Sequence, residues 1–238
     1  MEAARLAADG LRQAREDNHL FSLGHALVCG GGWLSDLRRE PDAVLAHGAE
    51  VITLAEENHF AEWLPWGQFI HGRALFELGQ VAKGIAEMEI GIAGCQRLGN
   101  VPRLQYLIAQ HAEATAKNGR VEQAIATINE ALAQVERTGE QVDYAEMLRL
   151  KGEVLLMRDR SATAEPEHCF RRALEVARVQ EAKWWELRTS VSLARLLRDT
   201  NRRDEARIRV GEICNGFTEG FNLPDLEEAK ALLDELSV

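Results

Sequence analysis

Long hydrophobic runs are missing from this sequence. The longest, Ala26 to Leu34, has nine residues, three of them glycine, whereas a membrane span needs about twenty. Proline is scarce, at 5 of 238 residues, and Phe, Trp and Tyr together make 6%, which disfavours sheet. No surplus of cations exists: Lys plus Arg is 28 against 38 for Asp plus Glu, a net charge of −10. That balance argues against general nucleic-acid binding, which needs phosphate neutralisation, and against an anionic membrane surface. Cysteine is limited to Cys29, Cys95, Cys169 and Cys214, with no CxxC pair, so a zinc knuckle or redox dithiol has no local support. The start, Met1-Glu2-Ala3-Ala4-Arg5, lacks the basic region and apolar core of a signal peptide. These absences lead us to expect a soluble chain in a reducing cytoplasm.

What is present is helical in character. Ala, Leu, Glu and Arg dominate, with 46% apolar and 28% charged residues, a globular composition that favours helix. Gly79, Gly99, Gly119 and Gly139 fall twenty residues apart, each after an amphipathic run. Glycine is the usual residue just past a helix end, because left-handed backbone costs it nothing. The interval implies helices of about 16 residues joined by short turns, and pairs of helices in units of 40.

A second series supports the unit. Small residues recur in the first helix at Gly31, Gly72, Ala112, Gly152 and Ala194. In the second helix Ala43, Gly84, Ala124, Pro166 and Ala206 recur, each followed four positions later by a larger residue: His47, Met88, Ile128, Phe170 and Val210. Small against large at matched positions lets two helices approach closely. Pro41, Pro65, Pro102, Pro166 and Pro224 all fall at proposed helix starts, where a missing N–H is harmless. The pattern predicts first helices near 19–37, 62–78, 102–118, 141–158 and 184–200. Second helices follow near 41–57, 81–98, 121–138, 164–181 and 203–219, with a leading helix at 3–17 and a closing helix at 224–236. The expected fold is an all-α, right-handed α-solenoid forming a single domain over 1–238, with helix pairs near 19–57, 62–98, 102–138, 141–181 and 184–219.

These residues resemble a tetratricopeptide repeat in its longer form, most clearly over Ala112 to Leu132. More narrowly, the chain resembles the C-terminal repeat region of large bacterial proteins that join a class III adenylate/guanylate cyclase domain to a STAND-type ATPase. The stretches that carry this likeness are His19-Leu20-Phe21-Ser22-Leu23, Leu37-Arg38-Arg39-Glu40-Pro41, Trp63-Leu64-Pro65-Trp66-Gly67 and Leu150-Lys151-Gly152-Glu153. Cys169-Phe170-Arg171-Arg172-Ala173-Leu174-Glu175, Phe217-Thr218-Glu219-Gly220-Phe221 and the tail from Pro224 to Leu233 extend it. The resemblance implies a regulatory or sensor region without catalytic residues, whose cyclase and ATPase domains lie elsewhere. The chain departs from that group at Gly30-Gly31-Gly32, which would loosen the first pair, and at Pro166, which replaces a small packing residue.

Catalytic chemistry has little to build on. No GxxxxGK[ST] loop occurs, and His111-Ala112-Glu113 matches only the HxE half of a zinc deaminase signature. His71 and His111 occupy equivalent repeat positions, and His168 adjoins Cys169; repeat geometry accounts for the first, and neighbouring helix residues face different ways in the second. The run Arg195, Arg198, Arg202, Arg203, Arg207 and Arg209 is interleaved with Asp199, Asp204 and Glu205. It reads as a solvated, ion-paired face or as a contact for an acidic helix or neighbouring domain.

The first helices are expected to line a concave groove. Counting from the packing sites brings Trp66, Phe69, Arg73 and Phe76 to that face, then Tyr106, Glu113, Arg149, Glu153, Arg188, Arg195 and Arg198. Aromatic and arginine side chains anchor protein contacts; Trp66 and Phe69 suit groove or core equally, while Arg188 and Arg195 are expected to be exposed. The resulting expectation is a non-catalytic scaffold for protein–protein or interdomain interaction, with no cofactor, metal, nucleic acid or membrane partner. The alternative is a solenoid that senses a small-molecule effector around Trp66, Phe69 and Tyr106.

Overall fold

A computed structural model describes residues 2–99 and 102–237. It is all-helical, with no strand among the described residues. The elements are α1 (Glu2–Glu16), α2 (Leu20–Ala26), a π-helical segment (Leu27–Trp33), α3 (Leu34–Leu37), α4 (Pro41–Asn58), α5 (Leu64–Glu77) and α6 (Val81–Leu98). They continue with α7 (Leu104–Lys117), α8 (Val121–Thr138), α9 (Tyr144–Arg158), α10 (Ala164–Val179), α11 (Lys183–Asp199), α12 (Arg203–Cys214) and α13 (Pro224–Ser237). Among the described residues, no helix is long and apolar enough to cross a membrane.

The helix ends follow the expected rhythm, and more of it than the glycines reveal. Gly79, Gly119 and Gly139 have φ of 85°, 85° and 75°. Gly99 departs from the expected left-handed cap: its φ of 93° pairs with ψ of −123°, a region open essentially to glycine alone. Arg39, His59, Glu181 and Asn201 also take positive φ, between 54° and 66°, so the twenty-residue spacing continues where no glycine marks it. Asp159 breaks the series, because its extended backbone (φ −153°, ψ 109°) leads into a turn in which it accepts from the Ser161 N–H at 2.8 Å.

Two expected helices differ in the structure. The span 19–37 divides into three segments, with π-helical winding through the triple glycine. The span 203–219 ends at Cys214, where Asn215-Gly216 turns the chain. First helices near 62, 102 and 141 begin two or three residues late, each after a short turn.

The chain divides into two compact units, Met1–Leu107 and Ile108–Val238, with the boundary inside α7. In the first, α4 packs on the π-helical segment and on α5, and α5 packs on α6. Its core gathers Leu27, Val28, Val44, Val51, Leu54, Ile70 and Ala74. The small sites are tight here: a Cβ on Gly31 would stand 2.8 Å from the His47 ring, and one on Gly72 would stand 2.7 Å from the Met88 nitrogen. In the second unit, α9 touches α11 and α11 touches α13, forming a row on which α8, α10 and α12 pack. A Cβ on Gly152 would collide with the Phe170 ring. The apolar core there runs from Phe170 through Leu187, Leu193 and Leu197 to Leu226, Leu232 and Leu236 of α13, each buried leucine contributing about 2 kcal/mol.

Candidate functional site

The row α9–α11–α13 carries a chain of charges inside the second unit. Every residue of α9 from Tyr144 to Leu150 is buried, including Glu146 and Arg149. Burying an ion is tolerable only when its partner is buried with it and hydrogen-bonded. Arg149 meets that condition, donating from Nε to Glu146 Oε2 at 2.7 Å and from Nη2 to Glu146 Oε1 at 2.8 Å. Arg188 of α11 reaches the same carboxylate at 2.9 Å and lies 3.6 Å from buried Asp225 of α13. Ser192 donates to Glu153 at 2.5 Å, and Arg149 lies 3.5 Å from both. On α7, Glu113 pairs with Lys117 at 2.9 Å. Burial works against the Arg149 charge, yet the field of Glu146, with help from Glu153 and Glu113, holds its pKa above the ordinary value.

The arginine-rich end is met by the chain's own acidic helix. Arg195 pairs with Glu228, Arg198 with Glu235 at 3.1 Å, and Arg203 donates to the Glu235 carbonyl at the end of α13. Arg202 and Arg171 share Glu167 and Glu205, with separations of 2.6–2.9 Å. Although partial burial opposes it, these arginines draw the Glu167 carboxyl below its usual range. Arg209 differs: burial, then Arg178 and Arg171, lower its pKa.

In the first unit the predicted aromatics separate. Phe69 and Phe76 are buried, as is Tyr106, while Trp66 is only partly covered. Phe69 is held down by a close approach, since Gly91 of α6 brings its backbone against Phe69. Trp66 packs with its ring tilted against Trp33 at 5.7 Å between ring centres, and Trp33 also meets Tyr106 at 6.0 Å. The Arg103 guanidinium lies 3.5 Å from the centre of the Trp33 ring, within the range of a strong cation–π contact. Arg73 pairs with Glu77 at 3.0 Å and Asp36 at 3.5 Å, and lies 6.0 Å from the Phe76 ring centre. Farther along, Phe21 packs on Phe60 and Trp63 at 5.5 and 5.1 Å.

The sequence-predicted residues thus fall into two sets. Trp66, Phe69, Arg73, Phe76 and Tyr106 lie in the first unit; Glu113, Arg149, Glu153, Arg188, Arg195 and Arg198 lie in the second. Arg195 is exposed, with 45% of its side chain accessible, but Arg188 retains only 21% because Glu146 and Asp225 draw it inward. Trp33, Arg103 and Glu146 escaped the sequence reading. Trp33 follows directly on the triple glycine, and Arg103 sits in the turn before α7, outside any regular period.

The isolated motifs acquire ordinary partners. His71 Nδ1 pairs with Glu87 at 2.8 Å. His168 is exposed while Cys169 is buried, and burial pushes the Cys169 thiol up, opposite to what a thiolate nucleophile requires. Among the described residues, no group of three His, Cys, Asp or Glu side chains is arranged to hold a metal ion. No protein-family profile matches the chain, and no curated protein sequence matches it significantly.

Proposed function

We propose that this chain is a non-catalytic interaction scaffold, a right-handed solenoid of tetratricopeptide-like helix pairs that engages a protein segment or a neighbouring domain. The observation that carries the reading is the partly exposed pair Trp33 and Trp66, with Arg103 laid on the Trp33 ring. Tryptophan and arginine are the residue types that dominate binding energy where they cluster at an interface. The ion-paired row of the second unit supports the same reading, since its charges are already matched internally and leave a rigid platform rather than an acid–base pair poised for catalysis. The repeat resemblance adds a setting: a regulatory region of a bacterial, cytoplasmic signalling protein related to cyclase–ATPase fusions, in which binding shifts how the repeats pack on other domains.

The test compares the immobilised chain with its Trp66→Ala/Arg103→Glu variant against an extract of the source organism. The scaffold reading expects a discrete protein held by the first and released by the second, with helical content unchanged. Equal retention by both would remove this face from the account.

A further inference from the structure

We propose that His25 and Cys29 of the first unit form a chelating site for a thiophilic divalent metal ion of the zinc class, a ligand that the sequence reading did not expect. The proposal does not rest on the scaffold reading.

The two positions are four residues apart, and the backbone brings them into line. Residues at that spacing on an α-helix are offset by about 40°. Here the step starts in α2 and ends in the π-helical segment, whose wider turn rotates each residue less. Both side chains are exposed, and Cys29 Sγ lies 3.6 Å from His25 Nε2. A zinc ion held at about 2.3 Å from sulfur and about 2.1 Å from nitrogen, at the tetrahedral angle, requires the two donors to stand about 3.6 Å apart. The pair already has that separation.

The imidazole is also held in place. Gly24 has no side chain, and a Cβ there would stand 2.6 Å from the Trp63 ring, so the indole closes on α2 at this point. Its centre lies 5.9 Å from that of the His25 ring in an edge arrangement, and 5.1 Å from that of Phe21. This aromatic wall limits the orientations open to His25, and preorganisation lowers the cost of ordering a ligand.

The donor chemistry selects the ion. Sulfur with imidazole suits zinc and its soft neighbours, whereas magnesium and calcium take oxygen ligands. Burial pushes the Cys29 thiol up, against the pull of Arg103. That disfavours a free thiolate nucleophile but not coordination, since a bound metal displaces the thiol proton outright. One thiolate and one imidazole fill two of four positions and leave two for water. The ion would bridge α2 and the π-helical segment, so binding stabilises the folded state at that junction.

The probe is cobalt(II), a coloured substitute for zinc, titrated into the full chain with its thiols kept reduced. The expected result is a thiolate-to-cobalt charge-transfer absorption that saturates at one ion per chain, disappears on adding zinc and is untouched by excess magnesium. Cys29→Ser should abolish the absorption. His25→Ala should weaken binding about ten-fold or more, because the second donor of a chelate binds intramolecularly. Cys214→Ser, at a partly exposed thiol of the second unit, should bind as the parent does. Zinc should raise the melting temperature of the parent and not that of Cys29→Ser. Both ligand positions are exposed, and unchanged melting without metal certifies the variants. Absence of the charge-transfer absorption, its survival in Cys29→Ser, or equal affinity after His25→Ala would overturn the proposal.

Discussion

Arg149 grips the carboxylate of Glu146, three residues earlier on the same helix, with two hydrogen bonds of 2.7 and 2.8 Å, and both side chains are buried. The shared carboxylate also ties α9 to α11 through Arg188. Removing one partner strands a charge in the interior. Glu146→Gln is expected to cost about 3 kcal/mol of stability in urea unfolding. Adding Arg149→Met to that variant should recover part of the loss. Full additivity of the two changes would show that the pair is not coupled.

The close helix approaches give a second prediction. Alanine is a better helix former than glycine by about 1 kcal/mol, yet Gly84→Ala should destabilise by about 2 kcal/mol net, because its Cβ would sit 2.5 Å from the Phe76 nitrogen. Gly10, in α1, has open space around it. Gly10→Ala should therefore raise the melting temperature. Thermal unfolding of both variants checks the contrast.

Backbone strain at the turns gives a third. His59 caps α4 at φ 56° and ψ 36°, a conformation that charges a residue with a Cβ about 1 kcal/mol. His59→Gly is expected to stabilise by about 0.5 kcal/mol after the added chain entropy of glycine. Gly139→Ala, at φ 75°, should destabilise by about 1 kcal/mol. The two shifts in urea midpoint should have opposite signs.

Alkaline pH gives a fourth. Burial first, and then the hydrogen bond to Glu136, push the Tyr144 phenol from 10.0 up to about 12. The unfolded chain ionises this group at the lower value, so its contribution to stability is complete below pH 10 and is lost as pH rises to about 12. Tyr144→Phe should flatten the fall in stability across that window. The absorbance of tyrosinate should show a late-titrating group in the parent that the variant lacks.

The helical class and most helix boundaries were legible in the sequence because repetition reinforces weak local signals. Four glycines at one interval placed four helix ends within a residue. Arg39, His59, Glu181 and Asn201 turn the chain in the same left-handed region, but residues with a Cβ leave no mark there for composition to detect. The triple glycine lies in π-helical winding over Leu27–Trp33, a change within the helix itself, while Gly31 still packs closely against His47. The candidate sites were harder. Counting along helices brought Arg149, Glu153 and Arg188 to one face, but the counter-ions Glu146 and Asp225 come from positions a periodic count does not weigh. Phe69 and Phe76 share a stripe with Trp66, and only the approach of α6 decides that the phenylalanines are covered while Trp66 remains partly open.

The interaction reading is tested most directly by putting a photoreactive benzophenone amino acid at position 66 and, separately, at exposed Lys83 of α6. Irradiation in living cells of the source organism should yield a defined protein adduct from position 66 and none from position 83. The Arg103→Glu change should suppress that adduct. Adducts of equal yield from both positions, or none from position 66, would contradict the account.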